Sequence, residues 1–408
     1  MKTERLMIDE KVISAQWQIK KLGELCEIVS GNTPKGLEKV SNKGEHQFYK
    51  VSDMNLEGNE TSMQTSNLRL TEEEIRRLKI KVYPKGTVIF PKRGGAILTN
   101  KKRLLSRPSS FDLNVMGILP NENVESSYLY YWFQKLDLTK IYDGSNVPQI
   151  NNKNIAPLSF PLPSIKEQRQ IVSKIEELFS ELDKGIEEIK TAQQQLKVYR
   201  QAVLKWAFEG KLTNEDVNEG ELPKGWKQVK TKDVIDIINN GYTPTKEFLS
   251  EGSGEVPFIK VYNLNFDGTL NFAKNPTFIP ATIHQKELKR SICLPGDVLI
   301  NIVGPPLGKL SIVTNQYPEW NINQAIVMFR PNEKVLSKYL AYFLQNPVTI
   351  NWLEGTSKAT AGQWNVKVST CREIPFPICS IEEQQHIVQE VESRLSVCDK
   401  IEETITNS

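Results

Sequence analysis

The residues that could do chemistry in this 408-residue chain are mainly basic. Between residues 76 and 111 the sequence has no acidic residue. The same segment holds eleven basic residues, which are Arg76, Arg77, Lys79, Lys81, Lys85, Lys92, Arg93, Lys101, Lys102, Arg103 and Arg107. Lysine and arginine at this density suit the phosphate backbone of a nucleic acid. The alternative is a solvated face that binds nothing.

No catalytic constellation emerges from the motifs. The 304–309 stretch resembles a phosphate-binding loop, but it is one residue short, and Leu310 replaces the hydroxyl residue that would bind Mg²⁺. The Pro-Pro-aromatic motif of amino-methyltransferases is absent from both the 275–278 and the 346–349 stretches. Asp183, Glu188 and Lys190 are spaced a little like nuclease metal ligands, but they lie on a predicted coiled-coil helix. We therefore expect no catalytic residue, metal site or cofactor in this chain.

The composition predicts an ordinary globular protein. Hydrophobic residues make up 39% and charged residues 25%, and the formal net charge is +3. The five cysteines are odd in number and form no C-x-x-C pair, which favours the reducing cytoplasm over a disulfide framework or a cysteine zinc site. No apolar run reaches the length of a membrane span, and the first 30 residues do not have the pattern of a signal peptide.

The segments that must position the basic residues occur twice in the sequence. Seven separated blocks recur at an offset of 209 to 216 residues. In one block Gly31-Asn32-Thr33-Pro34 matches Gly241-Tyr242-Thr243-Pro244. In another, residues 171–189 align with residues 387–405 without a gap, and eight of the 19 positions are identical. The repeat predicts two similar domains related by a pseudo-twofold axis, which would suit a partner with two related halves.

Each copy ends in a predicted helix. Ser164 with Glu167, and Ser380 with Glu383, have the spacing of a capping box. The first helix, predicted over residues 164–209, would have 46 residues and reach about 69 Å. A heptad seam is predicted at Ile171, Ile175, Leu178, Leu182, Ile189, Leu196, Tyr199, Val203, Ile387, Val391, Cys398 and Ile405. A buried bundle helix is the alternative, but the capping, length and repeat favour an intramolecular antiparallel pair. Part of the longer helix would lack a partner, unless the stretch around Met7, Ile8, Val12 and Ile13 supplies one.

Between the helices, short apolar runs alternate with Gly, Pro and Asn, which is typical of strands and turns. The best helical patches run from Tyr128 to Gln134 and from Tyr339 to Gln345. The fold class is therefore α+β: two similar mixed α/β domains separated by two long antiparallel coiled-coil helices. We place the boundaries at 1–163 and 211–379 for the domains, with the helices at 164–210 and 380–408.

The sequence resembles the specificity subunit of type I restriction-modification systems. The resemblance is carried by residues 160–172 and 376–388, each a Phe-Pro followed by a capped Ser-Ile-x-Glu-Gln helix with Ile-Val. Residues 207–212 and 222–226 match as well. Two positions depart from the pattern, since Trp17 lacks the Leu-Pro-x-Gly lead and Cys379 replaces a proline.

The resemblance implies a division of labour. Each domain would be a target recognition domain that reads half of a split site in double-stranded DNA, and the helices would space the halves by about 34 Å. The helices would also bind two modification subunits, which carry S-adenosylmethionine. Two restriction subunits, which use ATP and Mg²⁺, would complete the complex. The chain itself would be a cytoplasmic, non-catalytic subunit without a cofactor.

The candidate DNA-binding residues follow from side-chain chemistry and repeat position, because base reading needs amides and cations on loops that face a groove. In the first half they are Asn32, Thr33, Lys35, Lys50, Lys92, Arg93, Lys101, Lys102, Arg103 and Gln149. In the second half they are Thr243, Lys246, Lys260, Asn263, Lys309, Lys358 and Gln363. Two other functions stay open, which are a coiled-coil scaffold without sequence-specific DNA binding and a stand-alone DNA methyltransferase or nuclease.

Overall fold

The structure is a computed structural model that describes residues 17–143, 147–214, 216–218, 220–304, 306–360 and 363–407, with the backbone alone at 358–360 and 363. The chain divides into two compact units, of which the first ends at Gly185 and the second begins at Ile186. This boundary falls inside one long helix, so each unit takes one part of it.

The described part of the first unit contains strands β1 Gln18–Lys21, β2 Cys26–Ser30, β3 His46–Tyr49, β4 Ser62–Met63, β5 Leu68–Leu70, β6 Val88–Pro91, β7 Arg103–Leu105, β8 Ser110–Phe111, β9 Val115–Pro120 and β10 Ser159–Leu162. Its helices are α1 Leu22–Leu25, α2 Glu72–Arg77, α3 Ser126–Gln134, α4 Asn152–Ile155 and the first part of α5 Ile165–Phe208. The strands form a five-stranded sheet in the order β2-β9-β6-β7-β4, a three-stranded sheet β5-β3-β8, and the pair β1-β10.

The described part of the second unit contains strands β11 Lys227–Lys230, β12 Ile235–Asn240, β13 Ser250–Glu251, β14 Val256–Ile259, β15 Thr277–Ile279, β16 Val298–Asn301, β17 Val303–Gly304, β18 Leu310–Ile312, β19 Asn321–Ile322, β20 Ile326–Pro331, β21 Lys358–Thr360, β22 Gln363–Asn365 and β23 Pro375–Ile378. Its helices are the rest of α5, α6 Ala281–Gln285, α7 Ser337–Gln345, α8 Pro347–Gly355, α9 Val368–Arg372 and α10 Ile381–Asn407. The sheets have the orders β12-β20-β16-β18, β13-β15-β14-β19, β17-β22-β21 and β11-β23.

The two units share one topology, as the sequence repeat predicts. The order β2-β9-β6-β7 in the first unit recurs as β12-β20-β16-β18 in the second, and β5-β3-β8 recurs as β15-β14-β19. The strand directions agree too, because β3 pairs with β8 in parallel and β14 pairs with β19 in parallel. The α+β class with two similar domains is therefore confirmed. The predicted helical patches are confirmed as well, since they fall in α3 and α7.

One sheet of each unit, called the larger sheet here, is apolar on both faces; it is β2-β9-β6-β7-β4 in the first unit and β12-β20-β16-β18 in the second. In β6, Val88 and Phe90 pack with α3, while Ile89 between them packs with β3 and β8 on the other face. In β16, Val298 and Ile300 pack on the α7 side, and Leu299 packs on the β14 and β19 side. Because successive side chains of a strand point to opposite faces, a sheet covered on both sides needs an unbroken apolar run. This is why the short Val-Ile-Phe and Val-Leu-Ile segments stand out in the sequence.

A buried glutamine joins each long helix to its domain. Gln168 is fully buried, and its amide accepts a hydrogen bond from Glu125 N at 2.8 Å and donates to the carbonyls of Asn123 and Pro163 at 2.9 Å. In the second unit Gln384, also fully buried, makes the matching bonds to Leu336 N and to a carbonyl of the preceding loop. These contacts fix the direction in which each helix leaves its domain.

The serine caps are present at both helix starts. In the first, Glu167 N donates to Ser164 Oγ and the Glu167 carboxylate accepts from Ser164 N, which completes a capping box. In the second, Glu383 N donates to Ser380 Oγ, while the Glu383 carboxylate accepts from Thr213 Oγ1 at 2.5 Å. The second glutamate thus also fastens the segment that follows α5.

The predicted coiled-coil seam is only partly buried. Val203, Ile387, Val391 and Cys398 are buried, and Ile171, Ile175, Leu196 and Ile405 are half-buried. Within the second unit, Arg200 binds Asp399 at 2.6 Å and Glu402 at 2.9 Å, so the end of α5 runs antiparallel to α10.

Tyr199 is 37% exposed but borders α10, where it interacts with Arg394. The seam prediction is wrong for Leu178, Leu182 and Ile189, which are 40–57% exposed. The physical reason is length, because α5 has 44 residues and α10 has only 27. Met7, Ile8, Val12 and Ile13, which could supply a partner, lie outside the described residues.

The Gly-x-Thr-Pro repeat is explained by close packing. A Cβ on Gly31 would lie 2.1 Å from the carbonyl oxygen of Asp112, and a Cβ on Gly241 would lie 2.0 Å from that of Ile322. Both positions follow the first strand of the larger sheet, where the chain passes directly over the smaller sheet. Only glycine fits such an approach without moving backbone.

We expect Gly241→Ala to lower the free energy of unfolding by about 3 kcal/mol, because an overlap with backbone must be relieved by moving two strands. The matched control is Gly355→Ala in the same unit, where an added Cβ meets nothing within 4 Å. There alanine should be neutral or slightly stabilising, by up to about 1 kcal/mol. Urea unfolding of both variants measures the difference, and equal stability of the two would contradict the packing explanation.

Candidate nucleic-acid interface

The loop that follows the first strand of each larger sheet carries the first group of candidate residues. Asn32, Thr33 and Lys35 are on this loop in the first unit, and all three side chains are exposed. Thr33 Oγ1 accepts a weak hydrogen bond from Leu113 N at 3.3 Å. In the second unit Thr243 is half-buried and Lys246 is exposed. Each loop therefore begins at a closely packed glycine and carries polar side chains that are exposed or half-buried.

A second group in the first unit is brought beside this loop. Lys92 Nζ donates to Ser30 Oγ at 2.9 Å, next to the start of the Gly31 loop. Arg93 is exposed and pairs as an isolated antiparallel bridge with Gln149, whose amide donates to Asn151 Oδ1. The structure thus brings Gln149 beside Lys92 and Arg93, from which it is more than 50 residues distant in the sequence.

The charges of this group act on one another. Burial and the neighbouring Arg93 lower the pKa of Lys92, and the carboxylate of Asp112 partly offsets this. Burial raises the pKa of Asp112, although Lys50 opposes that change. Lys92 and Lys50 are thus both within electrostatic range of the Asp112 carboxylate.

Each unit also projects a tight turn with a lysine beside it. In the first unit the turn holds Asn55 and Gly58, and the Lys101 ammonium donates to Asn55 Oδ1. In the second unit the matching turn holds Phe266 and Gly268, and Lys309 Nζ lies 5.8 Å from the Phe266 ring centroid. Gly58 and Gly268 have the same φ of 84°. The turns are equivalent, and their exposed side chains differ.

Two of the predicted DNA-binding cations, Lys102 and Arg103, make hydrogen bonds inside the domain. Lys102 is fully buried, and its ammonium donates to Asn100 Oδ1 at 2.9 Å and to the Leu136 carbonyl. Arg103 is half-buried, and its guanidinium donates to the carbonyls of Asn59, Lys102 and Met54. Lys102 is therefore inaccessible to DNA in this structure, whereas DNA contact by the half-buried Arg103 stays a prediction. The sequence could not separate them from Lys101 beside them.

Asn263 also proves to be structural. It is buried, and its amide accepts from Lys260 N at 2.9 Å and donates to the carbonyls of Asn271 and Lys274. Asp53 has the equivalent role in the first unit, where its carboxylate accepts from Lys50 N at 2.7 Å. These two residues hold the base of each turn.

Three candidates of the second unit remain, which are Lys260, Lys358 and Gln363. Lys260 is half-buried, with its Nζ 5.9 Å from the Tyr262 ring centroid. The side chains of Lys358 and Gln363 lie outside the described residues. For all candidates with accessible side chains, DNA contact stays a prediction.

The sequence reasoning missed several residues that shape this surface. Asn59 is fully buried and holds the first turn with four hydrogen bonds to main-chain groups of residues 53, 64 and 65. Phe266 and Tyr242 are large exposed side chains at repeat positions occupied by Leu56 and Asn32. The sequence repeat could have identified Phe266 and Tyr242, since each of these aromatic residues aligns with a non-aromatic residue in the other copy.

Among the described residues, no three or more His, Cys, Asp or Glu side chains come together as a possible metal site. All five cysteine thiols are free. A helix long and apolar enough to cross a membrane is not found in the described ranges.

The environment of Lys102 predicts a pH dependence of stability. Burial lowers the pKa of Lys102 to about 8, whereas the pKa of an unfolded lysine is about 10.4. Between these values the unfolded chain binds more protons, so the contribution of this residue to the free energy of unfolding rises with pH. We expect urea unfolding at pH 7.5 and pH 9.5 to show a rise in the wild type that is smaller in Lys102→Met.

Lys101→Met is the matched control, because it leaves Lys102 in place and should keep the pH dependence of the wild type. A constant difference in stability between wild type and Lys102→Met at both pH values would contradict the assigned environment.

Comparison with known proteins gives a consistent result. The family described as "Type I restriction modification DNA specificity domain" matches residues 15–191 and again residues 223–408. The Escherichia coli "Type I restriction enzyme EcoBI specificity subunit" is 28% identical over 64% of this chain and 56% of its own length. The EcoDI specificity subunit, also from Escherichia coli, is 22% identical over 97% of this chain and 85% of its own length. The chain thus spans little more than half of the first relative and most of the second.

Solved structures share the fold. The HsdS subunit from Thermoanaerobacter tengcongensis superposes with a TM-score of 0.63 at 17% identity, covering 96% of this chain and 92% of its own. A chain from a structure of "the type I R-M system" gives a TM-score of 0.65 at 19% identity, covering 97% and 94%. With both copies of the repeat matched by one family, this chain belongs to the type I restriction-modification DNA specificity family.

Proposed function

We propose that the chain is the non-catalytic specificity subunit of a type I restriction-modification complex, in which each unit recognises one half of a bipartite DNA site. The observation that carries this proposal is a duplicated fold with unlike exposed residues. The framework of sheets, glycine loops and turns is the same in both units, while Asn32 is replaced by Tyr242 and Leu56 by Phe266. A repeated framework with different exposed residues suits two different short sequences.

Charge supports the same proposal. Lys50, Lys92, Arg93 and Lys101 lie on loops and turns of the first unit, where their side chains are accessible to a phosphate backbone. The second unit offers Lys246, Lys260 and Lys309 in the corresponding loops. Phosphate contacts would position the duplex and polar side chains beside them would read base edges.

The helices would bind the other subunits. In the first unit, the α5 side chains of Leu178, Phe179 and Leu182 are 51–57% exposed, and adjacent apolar side chains on one helix are typical of a protein interface. We infer that this surface binds a modification subunit. Two modification subunits with S-adenosylmethionine and two restriction subunits with ATP and Mg²⁺ would complete the complex, and the long helices would set the gap between half-sites.

The test of the proposed function is a footprint of this chain in complex with its modification subunit. We expect protection of one split sequence with two specific half-sites and an unspecific gap between them. Lys101→Ala should weaken binding to cognate and random duplexes alike. It should also reduce the slope of log affinity against log salt concentration by about one, the loss of one phosphate contact. Protection of one contiguous site would contradict the two-domain proposal, and equal affinity for all sequences would favour a scaffold. Methyl transfer by the isolated chain would establish an enzyme instead.

The role of the exposed apolar side chains on α5 has its own test. Leu178→Ser combined with Leu182→Ser should leave the melting temperature of the isolated chain almost unchanged, because both side chains are already in solvent. Co-purification with the modification subunit should fall strongly. Glu177→Ser, an exposed polar change on the same helix, is the control and should bind normally. Normal assembly of the double variant would contradict the proposed interface.

A further inference from the structure

Phe266 is a large apolar side chain held in solvent at the end of a tight turn. Its side chain is 55% exposed. The turn is closed by an antiparallel bridge between Leu264 and Leu270, and Gly268 adopts the left-handed conformation with a φ of 84°. The ring is therefore presented outward by the backbone.

The turn is fixed rather than loose. Asp267 Oδ1 accepts from Thr269 N at 2.9 Å and from Thr269 Oγ1 at 2.6 Å. The carbonyl of Phe266 accepts from Gln345 Nε2, on α7, at 3.1 Å. The chain before the turn is joined to β18 through Leu310 N and the Asn265 carbonyl at 2.9 Å. A ring positioned in advance loses little conformational freedom when it meets a partner.

A cation accompanies the ring. Lys309 Nζ lies 5.8 Å from the Phe266 centroid, a distance at which the ammonium is attracted by the ring face. Among the described residues Lys309 makes no ion pair with an acidic side chain. The pair thus offers an apolar surface and a positive charge side by side.

The first unit contains the same turn with a different side chain. Strand register pairs Val88 with Leu104 and Val298 with Ile312, which makes Lys101 the equivalent of Lys309. Lys101 likewise lies beside the turn, where it contacts Asn55. Leu56, the equivalent of Phe266, is only half-buried and much smaller. The cation is thus common to both units, whereas the apolar residue differs, as expected of a position that distinguishes two sequences.

The acidic residue of the turn favours the major groove of DNA over the minor groove. Asp267 follows Phe266, and Glu57 follows Leu56. A carboxylate is disfavoured in the minor groove, whose negative potential attracts cations. The major groove admits a β-ribbon and offers apolar contact with the thymine 5-methyl group, as well as cytosine amino groups that donate to a carboxylate.

We propose that Phe266 contacts the 5-methyl group of a thymine in the major groove of the half-site bound by the second unit, and that Lys309 binds a neighbouring phosphate. This inference rests on the proposed DNA-recognition function and adds a base and an atom to it. Phe266 is then a specificity-determining residue, and Lys309 supplies affinity for any sequence.

The experiment uses the complex of the full chain with its modification subunit and a duplex that carries its mapped site. Each thymine of both half-sites is replaced in turn by deoxyuridine, which keeps base pairing and removes only the methyl group. For the wild type we expect one replacement to lower the affinity about fourfold, the factor expected for one buried methyl group. Phe266→Ala should weaken binding to the unmodified duplex and lose this sensitivity to deoxyuridine, since the two changes remove the same contact.

Three further variants sharpen the result. Phe266→Leu, which installs the residue of the first unit, should retain part of the sensitivity. Lys309→Ala should weaken binding to all duplexes and reduce the salt dependence, with the sensitivity unchanged. Val348→Ala, at another exposed apolar position of the same unit, should behave as the wild type.

The outcomes separate this inference from the proposed function. If the complex binds a specific site and Phe266→Ala keeps the full deoxyuridine effect, or no thymine is sensitive, the inference is wrong and the proposed function stands. If 2-aminopurine in the site becomes brighter with wild type but not with Phe266→Ala, the ring unstacks bases, and the methyl contact is wrong. If no specific site is bound at all, the proposed function fails first.

Discussion

The junction between each domain and its long helix depends on one buried side-chain amide. Gln168 and Gln384 are each fully buried, and all their hydrogen bonds run to main-chain groups of the domain that the helix leaves. Burying an amide is unfavourable unless its donors and acceptor are satisfied, so the network forms in one geometry only. A rigid helix can act as a spacer only if its start is fixed relative to its domain, and these two glutamines fix it.

Around this junction the two units share a framework and differ in detail. Tyr128 donates to the Pro161 carbonyl and Tyr339 donates to the Pro377 carbonyl, so each Phe-Pro strand is held in the same way. The turn before β6 differs from the turn before β16. In the first unit, Thr87 Oγ1 donates to the Pro84 carbonyl within this turn. In the second unit Asp297 occupies this place and forms two hydrogen bonds with Arg330 at 2.8 and 2.7 Å. Such local replacements let the copies diverge while the shared hydrogen bonds preserve the topology.

Charge in the sequence and charge on the surface are different quantities in this protein. Three consecutive cations, Lys101, Lys102 and Arg103, have three different environments. Lys102, the residue before β7, is fully buried, and its ammonium donates to the Leu136 carbonyl. Its burial lowers its pKa to about 8, the mark of a cation with little access to water. The number of basic residues between positions 76 and 111 is therefore larger than the number of positive charges that a phosphate group could contact.

The sequence by itself determined the duplication, the α+β class, the capped helices and the buried part of their seam, because these follow from local spacing: repeat blocks, apolar periodicity and capping pairs. It could not determine that Leu178 and Leu182 remain exposed, since a seam is buried only when a second helix is long enough to cover it. Nor could it separate Lys101 from Lys102, or recognise Asn263 as the base of a turn and Phe266 as its tip. Those distinctions depend on which main-chain groups approach from distant parts of the chain, and only the tertiary structure brings them together.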